Sequence, residues 1–487
     1  MTTRGADAPA KTRPDEVCDV VVVGGGLSGV IVAEELAATS LSCTIIEAGP
    51  ILERRLPSCN LPRYREVIKP LLDVDAQAWA YRPNGMPYEW LRVRAAGGRS
   101  LVWGGWLLWP HEQSFRDARR VGRPWPFELD DLATYLHRAR RRLMPREAPM
   151  PPVFESAGKR LGLPVRPKLA GVGPCGCRPF VSLDWLRRAL LKPNRVVTQV
   201  LTDRAGRATG VAYSDRETRE PGVVLARTVV LAASPVETAR LLLSHPDQNL
   251  MNPEGLVGRG LVDHLVASYL LLVPQPAPTQ DLPTPIDRTA FVDRFVNVSR
   301  STRRDYRGGF TMELHGPEPL SGLGDEGART LGVDPKDVPS MSYYLVHAIG
   351  ESQVHPQRRV RLDPDLHDSL GRRAPVIDLA WGEDEPRIAR DMEEACIAVC
   401  DALASPGCRI VPVRETLKPG GIGHEAGGAA MGNRRSRSVT DMLGHVHGVR
   451  GLYVADASRF PTGLDRPPTL TLLGVALTTA DAILEGA

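Results

Sequence analysis

The chain has 487 residues, of which 42% are hydrophobic and 24% charged, and its formal net charge is only +4. This length predicts two interleaved domains, and the composition excludes a largely disordered chain and gives no sign of a nucleic-acid-binding surface. Arginine outnumbers lysine 54 to 7, which indicates a GC-rich bacterial genome more than a surface for polyanions.

The N-terminus gives no sign of a secretion signal or a membrane anchor. No apolar leader precedes residue 20, and the longest uncharged apolar run, Val20–Ala33, is broken by glycines and is shorter than a membrane span. We therefore expect a cytoplasmic protein with no membrane span and no nucleic-acid partner. The eight cysteines fit reduced thiols, since neither Cys175–Cys177 nor Cys396–Cys400 has a second ligand pair, and no metal site is predicted.

The first predicted elements are a strand (Val20–Val23), a glycine-rich turn, an amphipathic helix and a second strand (Cys43–Ile46) that ends at Glu47. This order is the context that a dinucleotide-binding Gly-x-Gly-x-x-Gly fingerprint requires. Glu47 follows at the distance where a carboxylate accepts hydrogen bonds from ribose hydroxyls. The segment therefore predicts a dinucleotide site.

Each glycine of this fingerprint has its own predicted role. Gly24 permits the tight turn, Gly26 lets the backbone approach a pyrophosphate, and Gly29 lets the helix pack closely on the strand. The N–H groups at the start of the helix then face the phosphates.

The segments that follow differ in residue composition and in predicted secondary structure. The segment 94–110, RAAGGRSLVWGGWLLWP, combines glycine pairs with tryptophans, which suits either a backbone laid against a flat ring system or a tight turn in a hydrophobic loop. Amphipathic stretches at Leu129–Leu143 and Leu183–Leu191 predict helices. Residues 228–245 read as a buried strand, a turn and a helix, and the proline-rich stretch 274–285 suits the rim of a site.

Small residues return from Gly421, in GHEAGGAAMG (423–432), before a strand at Leu452–Ala455 and a last helix at Thr469–Leu484. Together with VVVGGGLSG…EAG, RAAGGRSLVWGG, and LAASPVETARLLL followed by VGRGLVDH, this C-terminal segment resembles the glucose–methanol–choline (GMC) flavoprotein oxidoreductases. The four segments occur in the family's order. The resemblance is weakest over 121–190 and 265–420.

The resemblance implies an α/β fold, in which a Rossmann-type FAD-binding domain is interleaved with an α+β substrate domain built on an antiparallel sheet. The FAD-binding domain is expected over 15–120, 190–264 and 421–487. The substrate domain is expected over 121–189 and 265–420.

The resemblance also implies FAD as the cofactor and a set of residues that contact it. We expect the ADP half to be held by Gly24, Gly26, Leu27, Ser28, Gly29, Glu47 and Ala48. We expect the rest of the cofactor, from adenine to the flavin ring, to meet Arg94, Gly97, Gly98, Ser100, Trp103, Gly104, Gly105, Val197, Ala233, Asp456, Ala457, Pro468 and Thr469. Where some relatives attach flavin through a histidine, this chain has Val102, so FAD is expected to be bound non-covalently.

His424 matches the family's histidine in H-x-x-G-x-x-x-M-G, which implies that it faces the reactive ring of the flavin. The implied reaction is oxidation of a primary or secondary alcohol to a carbonyl, with hydride passing to flavin N5. An imidazole is suited to remove the hydroxyl proton because its pKa lies near neutrality. Packing of His424 in a loop is the structural alternative.

The family's second polar residue, a His or Asn, is replaced here by Pro467, which offers neither a side-chain donor nor an acceptor. Three explanations stay open. Asp465 or Arg466 reaches the substrate oxygen, a residue of the substrate domain supplies the contact, or the protein no longer oxidises ordinary alcohols. We take Asp465 and Arg466 as candidate catalytic groups beside His424.

Other functions on the same scaffold are an FAD-containing lyase or cyclase without net redox change, and a binding protein without activity. We expect the alcohol substrate to be a small molecule: a polyol, a sugar or aminosugar, or a hydroxylated natural product. O2 or another acceptor would reoxidise the flavin. His264 is expected to hydrogen-bond backbone, and His445 and His447 to be structural.

Overall fold

The computed structural model describes residues 14–52, 79–174, 179–277, 288–292 and 306–486. Most of the predicted proline-rich rim, 278–285, lies outside these residues. The strands of the described residues, in chain order, are β1 (Glu16–Val23), β2 (Cys43–Ile46), β3 (Arg82–Gly85), β4 (Pro145–Glu147), β5 (Val165–Pro167), β6 (Leu169–Gly171), β7 (Leu190–Lys192), β8 (Arg195–Thr202), β9 (Ala208–Asp215), β10 (Pro221–Leu231), β11 (Leu265–Val273), β12 (Thr289–Val292), β13 (Phe310–Pro319), β14 (Ser342–Gly350), β15 (Arg359–His367), β16 (Arg373–Leu379), β17 (Arg409–Pro412) and β18 (Leu452–Val454).

The helices of these ranges are α1 (Leu27–Ala37), α2 (Glu112–Arg120), α3 (Leu129–Arg142), α4 (Pro152–Leu161), α5 (Pro235–Leu243), α6 (Gln248–Met251), α7 (Gly324–Thr330), α8 (Asp384–Leu403) and α9 (Thr469–Gly486). The helices predicted near 129 and 469, and the strand–turn–helix of 228–245, are confirmed.

The first sheet has the strand order β7-β2-β1-β10-β9-β8, with β18 also paired to β10. Strands β7, β2, β1, β10 and β18 are parallel, and β8 and β9 form an antiparallel extension. Strand β1 is buried almost throughout its second half because helices and loops cover both faces. In a parallel sheet the chain leaves every strand at the same edge, so the loops after β1, β2, β10 and β18 meet there.

Two apolar cores cover this sheet, one on each face. Helices α1, α3 and α9 pack on one face, where Val22, Leu36 and Leu473 are buried. Helix α5 packs on the other face together with the hairpin β15–β16, where Leu242 and Ile377 are buried. The predicted Rossmann-type arrangement is confirmed.

The second sheet is antiparallel, in the order β17-β11-β14-β13-β12-β5. Successive side chains along its strands point to opposite faces, so that Ala267, Met312 and Ala348 lie in a third core with α8 and α4. The alternate positions, such as Ser268 and Glu313, point to the opposite face. The antiparallel substrate sheet of the predicted fold class is therefore confirmed.

The domain boundaries stay a prediction, although the packing of two segments is clear. Helix α3, within 121–189, packs on α9 in the core of the first sheet. Hairpin β15–β16, within 265–420, packs against α5.

The helix predicted at Leu183–Leu191 is wrong. Residues 182–184 form one short 3-10 turn, and 190–192 form β7, which pairs with β2. The carboxylate of Glu34 accepts hydrogen bonds from the backbone N–H groups of Arg187, Arg188 and Ala189, each at 2.9 Å. Because a side chain satisfies these three donors, the segment needs no helical hydrogen bonds.

Helix α9 is long and apolar enough, by length and composition, to cross a membrane. Its residues are mostly buried inside the protein, where it packs against α1 and α3. It is therefore a core helix of the first sheet.

Candidate active site

The glycine turn after β1 has the geometry of a phosphate cradle. Gly24 has a φ of 110°, and a Cβ there would lie 2.3 Å from the carbonyl oxygen of Ala232. A Cβ on Gly29 would lie 2.0 Å from the carbonyl oxygen of Gly24, so the helix can approach the turn only without a side chain. A Cβ on Gly26 would meet no atom within 4 Å, so space is open at the start of α1, beside Leu27 and Ser28.

Glu47 lies at the end of β2 beside this turn. Its carboxylate accepts hydrogen bonds from the N–H groups of Gly25 and Gly49, both at 2.8 Å, with Ala48 between. Burial raises the pKa of Glu47 to about 7. The side chain is thus held at the sheet edge where the two neighbouring strands end.

The second glycine segment lies directly on the first. Gly97 donates a hydrogen bond to the carbonyl oxygen of Gly25 at 3.1 Å, and a Cβ on Gly98 would lie 3.2 Å from Cα of Gly26. Ser100 accepts from the N–H of Ser182 at 3.0 Å. The two glycine segments therefore form one continuous backbone surface.

The chain continues from this surface toward the second sheet. Trp103 donates from its indole nitrogen to the carbonyl oxygen of Phe180 at 2.6 Å. The carbonyl oxygen of Gly104 accepts from Nζ of Lys168 at 2.6 Å, and that of Gly105 accepts from the N–H of Gly171 at 2.8 Å.

The loops after β10 and β18 complete the same edge. Ala233 follows β10, with its Cα 3.3 Å from the position of a Cβ on Gly24. Asp456 follows β18 and accepts from the hydroxyl of Thr238 at 2.5 Å and from the N–H of Ser458 at 2.9 Å. The carbonyl oxygen of Ala457 accepts from the N–H of Gly427 at 3.0 Å, which joins this edge to the segment that carries His424.

The remaining predicted cofactor residues are more dispersed. Arg94 forms an ion pair with Glu237 at 2.6 Å, and the carbonyl oxygen of Val197 in β8 accepts from Arg372 at 3.1 Å. Pro468 and Thr469 lie at the start of α9. Their contacts with a cofactor stay predictions.

His424 is buried beside a second histidine. Its Nδ1 lies 3.0 Å from Nδ1 of His264, the residue before β11, and the rings stand nearly perpendicular at 84°. Nε2 of His264 lies 2.5 Å from the carbonyl oxygen of Leu464. The backbone hydrogen bond expected for His264 is present, and its contact with His424 is an additional feature.

This geometry assigns the hydrogen positions in both rings. A carbonyl oxygen can only accept, so His264 carries its hydrogen on Nε2 and Nδ1 is the acceptor. Nδ1 of His424 then donates to it, and the lone pair of a neutral His424 lies on Nε2. Both rings are neutral, because burial lowers the pKa of His264 to about 4 and, with His264 and Arg99 nearby, holds that of His424 well below its ordinary value.

Charged side chains contact the chain segments next to both histidines. Arg99 forms an ion pair with Glu425 and donates to the carbonyl oxygen of Gly423, on either side of His424. Asp263 accepts from the backbone N–H of His264 at 2.8 Å and from the hydroxyl of Tyr88 at 2.9 Å. These contacts hold the backbone of both histidines.

Asp465 and Arg466 lie near the pair but bind each other. Nε and Nη2 of Arg466 lie 3.0 and 2.9 Å from the two carboxylate oxygens of Asp465, and both residues are buried. Asp465 also accepts from Ser114 at 3.2 Å, and Arg466 donates to the carbonyl oxygen of Trp109 at 2.8 Å. Arg466 also lines a cleft of about 640 Å³ together with His111 and Phe291.

The other histidines of the C-terminal segment have local partners. His447 lies 3.0 Å from the hydroxyl of Ser438, and His445 packs against Tyr453. Within the described ranges, no group of three or more His, Cys, Asp or Glu side chains is placed to hold a metal ion.

Comparison with known protein families assigns the chain to a family. Residues 18–266 match the N-terminal model, and residues 357–476 the C-terminal model, of the family described as GMC oxidoreductase. The chain belongs to the GMC oxidoreductase family. It is therefore an FAD-dependent oxidoreductase.

Similar curated GMC oxidoreductases cover nearly the whole chain. Paromamine 6'-oxidase of Streptomyces fradiae is 28% identical over 97% of this chain and 92% of its own length. The 6'''-hydroxyparomomycin C oxidase of Streptomyces lividus is 27% identical over 96% and 92%, and the fructose dehydrogenase large subunit of Gluconobacter japonicus is 24% identical over 96% and 98%.

A solved GMC-like structure has the same fold. Pyridoxine 4-oxidase from Mesorbium loti superposes with a TM-score of 0.66 at 19% identity, covering 96% of this chain and 99% of that one.

Sequence reasoning about this GMC oxidoreductase missed one member of the site. His264 is 160 residues from His424 in the chain, and its motif predicts a backbone hydrogen bond but no second contact. Its position in the chain is the available signal: His264 directly precedes β11, and Val262, two residues earlier, pairs with Ala426, two residues after His424.

Proposed function

We propose that this GMC oxidoreductase oxidises a primary or secondary alcohol of a small hydroxylated molecule to a carbonyl, with His424 as the base. The observation that carries the proposal is the histidine pair, whose hydrogen bonds leave the lone pair of His424 on Nε2. The names of the relatives that cover nearly the whole chain, which include two aminosugar oxidases and a fructose dehydrogenase, support an alcohol substrate.

The residues present fit FAD. Open space at Gly26, the absence of side chains on Gly97 and Gly98, and the carboxylate of Glu47 together form a polar backbone cradle at the sheet edge. FAD bound there supplies the acceptor for the hydride. Gly24 to Gly29 and Glu47 would hold its ADP half, while Gly97 to Gly105 and Asp456–Ala457 would hold the remainder.

His424 accepts the hydroxyl proton of the substrate on Nε2. The charge that develops on its ring is shared through Nδ1–H with Nδ1 of His264, which is in turn held by Leu464. His264 is thus a positioning residue: it keeps His424 in the tautomer that can accept. His264 does not replace the polar residue that is absent at Pro467, because both of its ring nitrogens are already hydrogen-bonded, and Asp465 and Arg466 bind each other.

We also propose that FAD is bound non-covalently, since Val102 stands where some relatives carry the attaching histidine. O2 or another acceptor would receive the electrons.

An anaerobic titration tests these proposals. A panel of sugars, aminosugars and polyols is added to the purified yellow protein without oxygen, and the visible flavin band is followed. We expect one of these alcohols to bleach the band and yield its carbonyl product. Product formed without bleaching would identify the lyase or cyclase alternative instead, and neither bleaching nor product would indicate a binding protein. Acid precipitation of the same sample should leave all the colour in the supernatant.

A further inference from the structure

One strand of the antiparallel sheet carries three polar side chains in a row on one face, two of them buried and the third partly buried. In β13, Met312 and Leu314 point into the core with α8, so Thr311, Glu313 and His315 point to the other face. Thr311 is fully buried, Glu313 is 5% exposed, and the side chain of His315 is 22% exposed.

Each of these side chains has a polar atom without a hydrogen bond to any described residue. The atoms are Oγ1 of Thr311, Oε1 of Glu313 and Nε2 of His315. Nε2 of His315 lies 3.5 Å from Oε2 of Glu313, and Thr311 lies two residues before Glu313 on the same face of the strand. Buried polar atoms in native proteins nearly always have partners, so three such atoms on one face indicate a ligand site.

Neighbouring strands extend the polar face. Glu313 pairs across the sheet with His347 in β14, and His347 with Ser268 in β11. The hydroxyl of Ser268 lies 2.7 Å from Nδ1 of His347. His315 packs at 5.8 Å against the ring of Trp106, and the ammonium of Lys168 lies 4.4 Å from that ring.

These contacts place the polar face opposite the second glycine segment. Lys168 also donates to the carbonyl oxygen of Gly104, within the stretch proposed to hold the cofactor. On the same sheet, β11 begins directly after His264, and Ser268 is four residues farther along it. Four residues of strand span about 13 Å, so a substrate that contacts both the histidine pair and this face carries several functional groups.

The protonation states of the side chains on this face indicate which chemical groups a ligand would carry. Burial raises the pKa of Glu313 to about 7, while His347 and Lys168 act to lower it. Burial lowers the pKa of His315 to about 3, so its ring is neutral. Above about pH 7 the atoms without a hydrogen bond to a described residue are therefore a carboxylate oxygen, a neutral imidazole nitrogen and a hydroxyl, which match an ammonium group and hydroxyl groups.

We propose that Glu313 binds the ammonium group of an amino-bearing polyol, with His315 and Thr311 bonding its hydroxyl groups. This inference rests on the proposed alcohol oxidation and assigns its substrate class to aminosugars. Glu313 acts on specificity and not on the proton transfer at His424.

Calorimetric binding of paromamine and of N-acetylated paromamine to the FAD-loaded protein tests this role. Acetylation removes the positive charges of the ligand and keeps its hydroxyl groups. We expect Glu313→Gln to weaken paromamine binding by roughly 10- to 100-fold, the effect of losing a hydrogen bond to a charged group, and to change binding of the acetylated ligand little. Glu318→Gln, on the same strand but paired with Arg288, should bind both ligands like the wild type.

The wild type alone provides a second measurement. Its affinity for paromamine should rise as the pH rises toward about 7, where Glu313 ionises while the amines of the ligand are still protonated, and this rise should be absent for the acetylated ligand. Equal affinities for the two ligands, or equal losses in Glu313→Gln, would overturn the assignment. The assignment would also be overturned if the wild type preferred the anionic polyol gluconate and Lys168→Met lost this preference.

The failure of this inference differs from the failure of the proposed function. If neutral polyols bleach the flavin as well as paromamine does, alcohol oxidation stands and the role of Glu313 is wrong. If no alcohol bleaches it, the proposed function is wrong.

Discussion

The protonation pattern of His424 depends on a carbonyl group that it does not touch. Leu464 determines which nitrogen of His264 carries hydrogen, and His264 in turn determines which nitrogen of His424 does. A histidine in a glycine-rich loop would otherwise exchange tautomers freely. The proposed base is thus defined by three residues from three parts of the chain.

Replacing His264 tests this dependence. We expect His264→Ala to lower the rate of anaerobic flavin reduction about 10- to 100-fold, the scale seen when a group that orients a histidine is removed, with a smaller effect on substrate affinity. His264→Asn places an amide oxygen near the position of Nδ1 and should recover part of the rate. His447→Ala, which removes a histidine bonded only to Ser438 among the described contacts, is the control. Equal rates in wild type and His264→Ala would refute the positioning role.

The pH dependence of flavin reduction follows from the lowered pKa of His424. A base must be unprotonated to act, and its folded pKa lies below the ordinary value of 6.5. The rate should therefore be constant above about pH 6.5 and should fall only at lower pH. Stopped-flow reduction with a neutral polyol measures this profile, because we expect the binding of an uncharged substrate not to depend on the ionisation of Glu313. A midpoint at or above pH 7 would contradict it.

At the scale of elements, the turn between β1 and α1 shows why two glycines of one motif are needed for different reasons. Gly29 is required by contact within the protein, because a Cβ would meet the backbone of Gly24. Gly26 lies beside open space, so nothing within the described chain requires a glycine there.

This difference predicts opposite behaviour of two alanine variants. Gly29→Ala should lower the free energy of unfolding of the FAD-free protein by about 1–3 kcal/mol, as overpacking does. Gly26→Ala, at a φ of −76°, should fold as stably as the wild type yet bind FAD more weakly, because its methyl group occupies the approach of the pyrophosphate. Urea unfolding and fluorescence titration with FAD measure the two effects. Unchanged FAD affinity in Gly26→Ala would remove the turn from the cofactor site.

At the scale of the whole molecule, a buried ion pair joins the first sheet to the β15–β16 hairpin. Arg240 in α5 lies 2.9 Å from a carboxylate oxygen of Asp368, and Arg372 lies 2.8 Å from the same oxygen. Arg240 is 1% exposed, so its charge has little access to water. This contact holds the turn between β15 and β16, which lies within the region matched by the C-terminal GMC model, against helix α5 of the first sheet.

Asp368→Asn should therefore destabilise the whole protein. Removing the charge of Asp368 leaves Arg240 and Arg372 with only Glu237 as a carboxylate partner, at 3.5 and 3.9 Å, so we expect a loss of up to about 3–5 kcal/mol. Thermal unfolding of the variant should show one transition at a lower temperature. Glu112→Gln, which breaks a surface pair with Arg116 within α2, should unfold like the wild type. A wild-type melting temperature in Asp368→Asn would show that the pair contributes no net stability.

Local sequence patterns predicted strands β1, β2 and β18 of the first sheet, the glycine turn, the terminal helix and the family, because strand and helix periodicity and turn chemistry act over a few residues. Local patterning failed at Leu183–Leu191, where Glu34 from a distant helix binds the backbone amides.

Only the tertiary structure decided the partners of the proposed site. It brought His264 to His424 across 160 residues, and it placed His315, on the same face of β13 as Glu313, against Trp106, the residue after Gly105. The sequence predicted His424 because its motif is local, whereas the contact with His264 depends on the pairing of Val262 with Ala426 from a distant part of the chain. Such contacts depend on packing between segments distant in the chain, which no local pattern specifies.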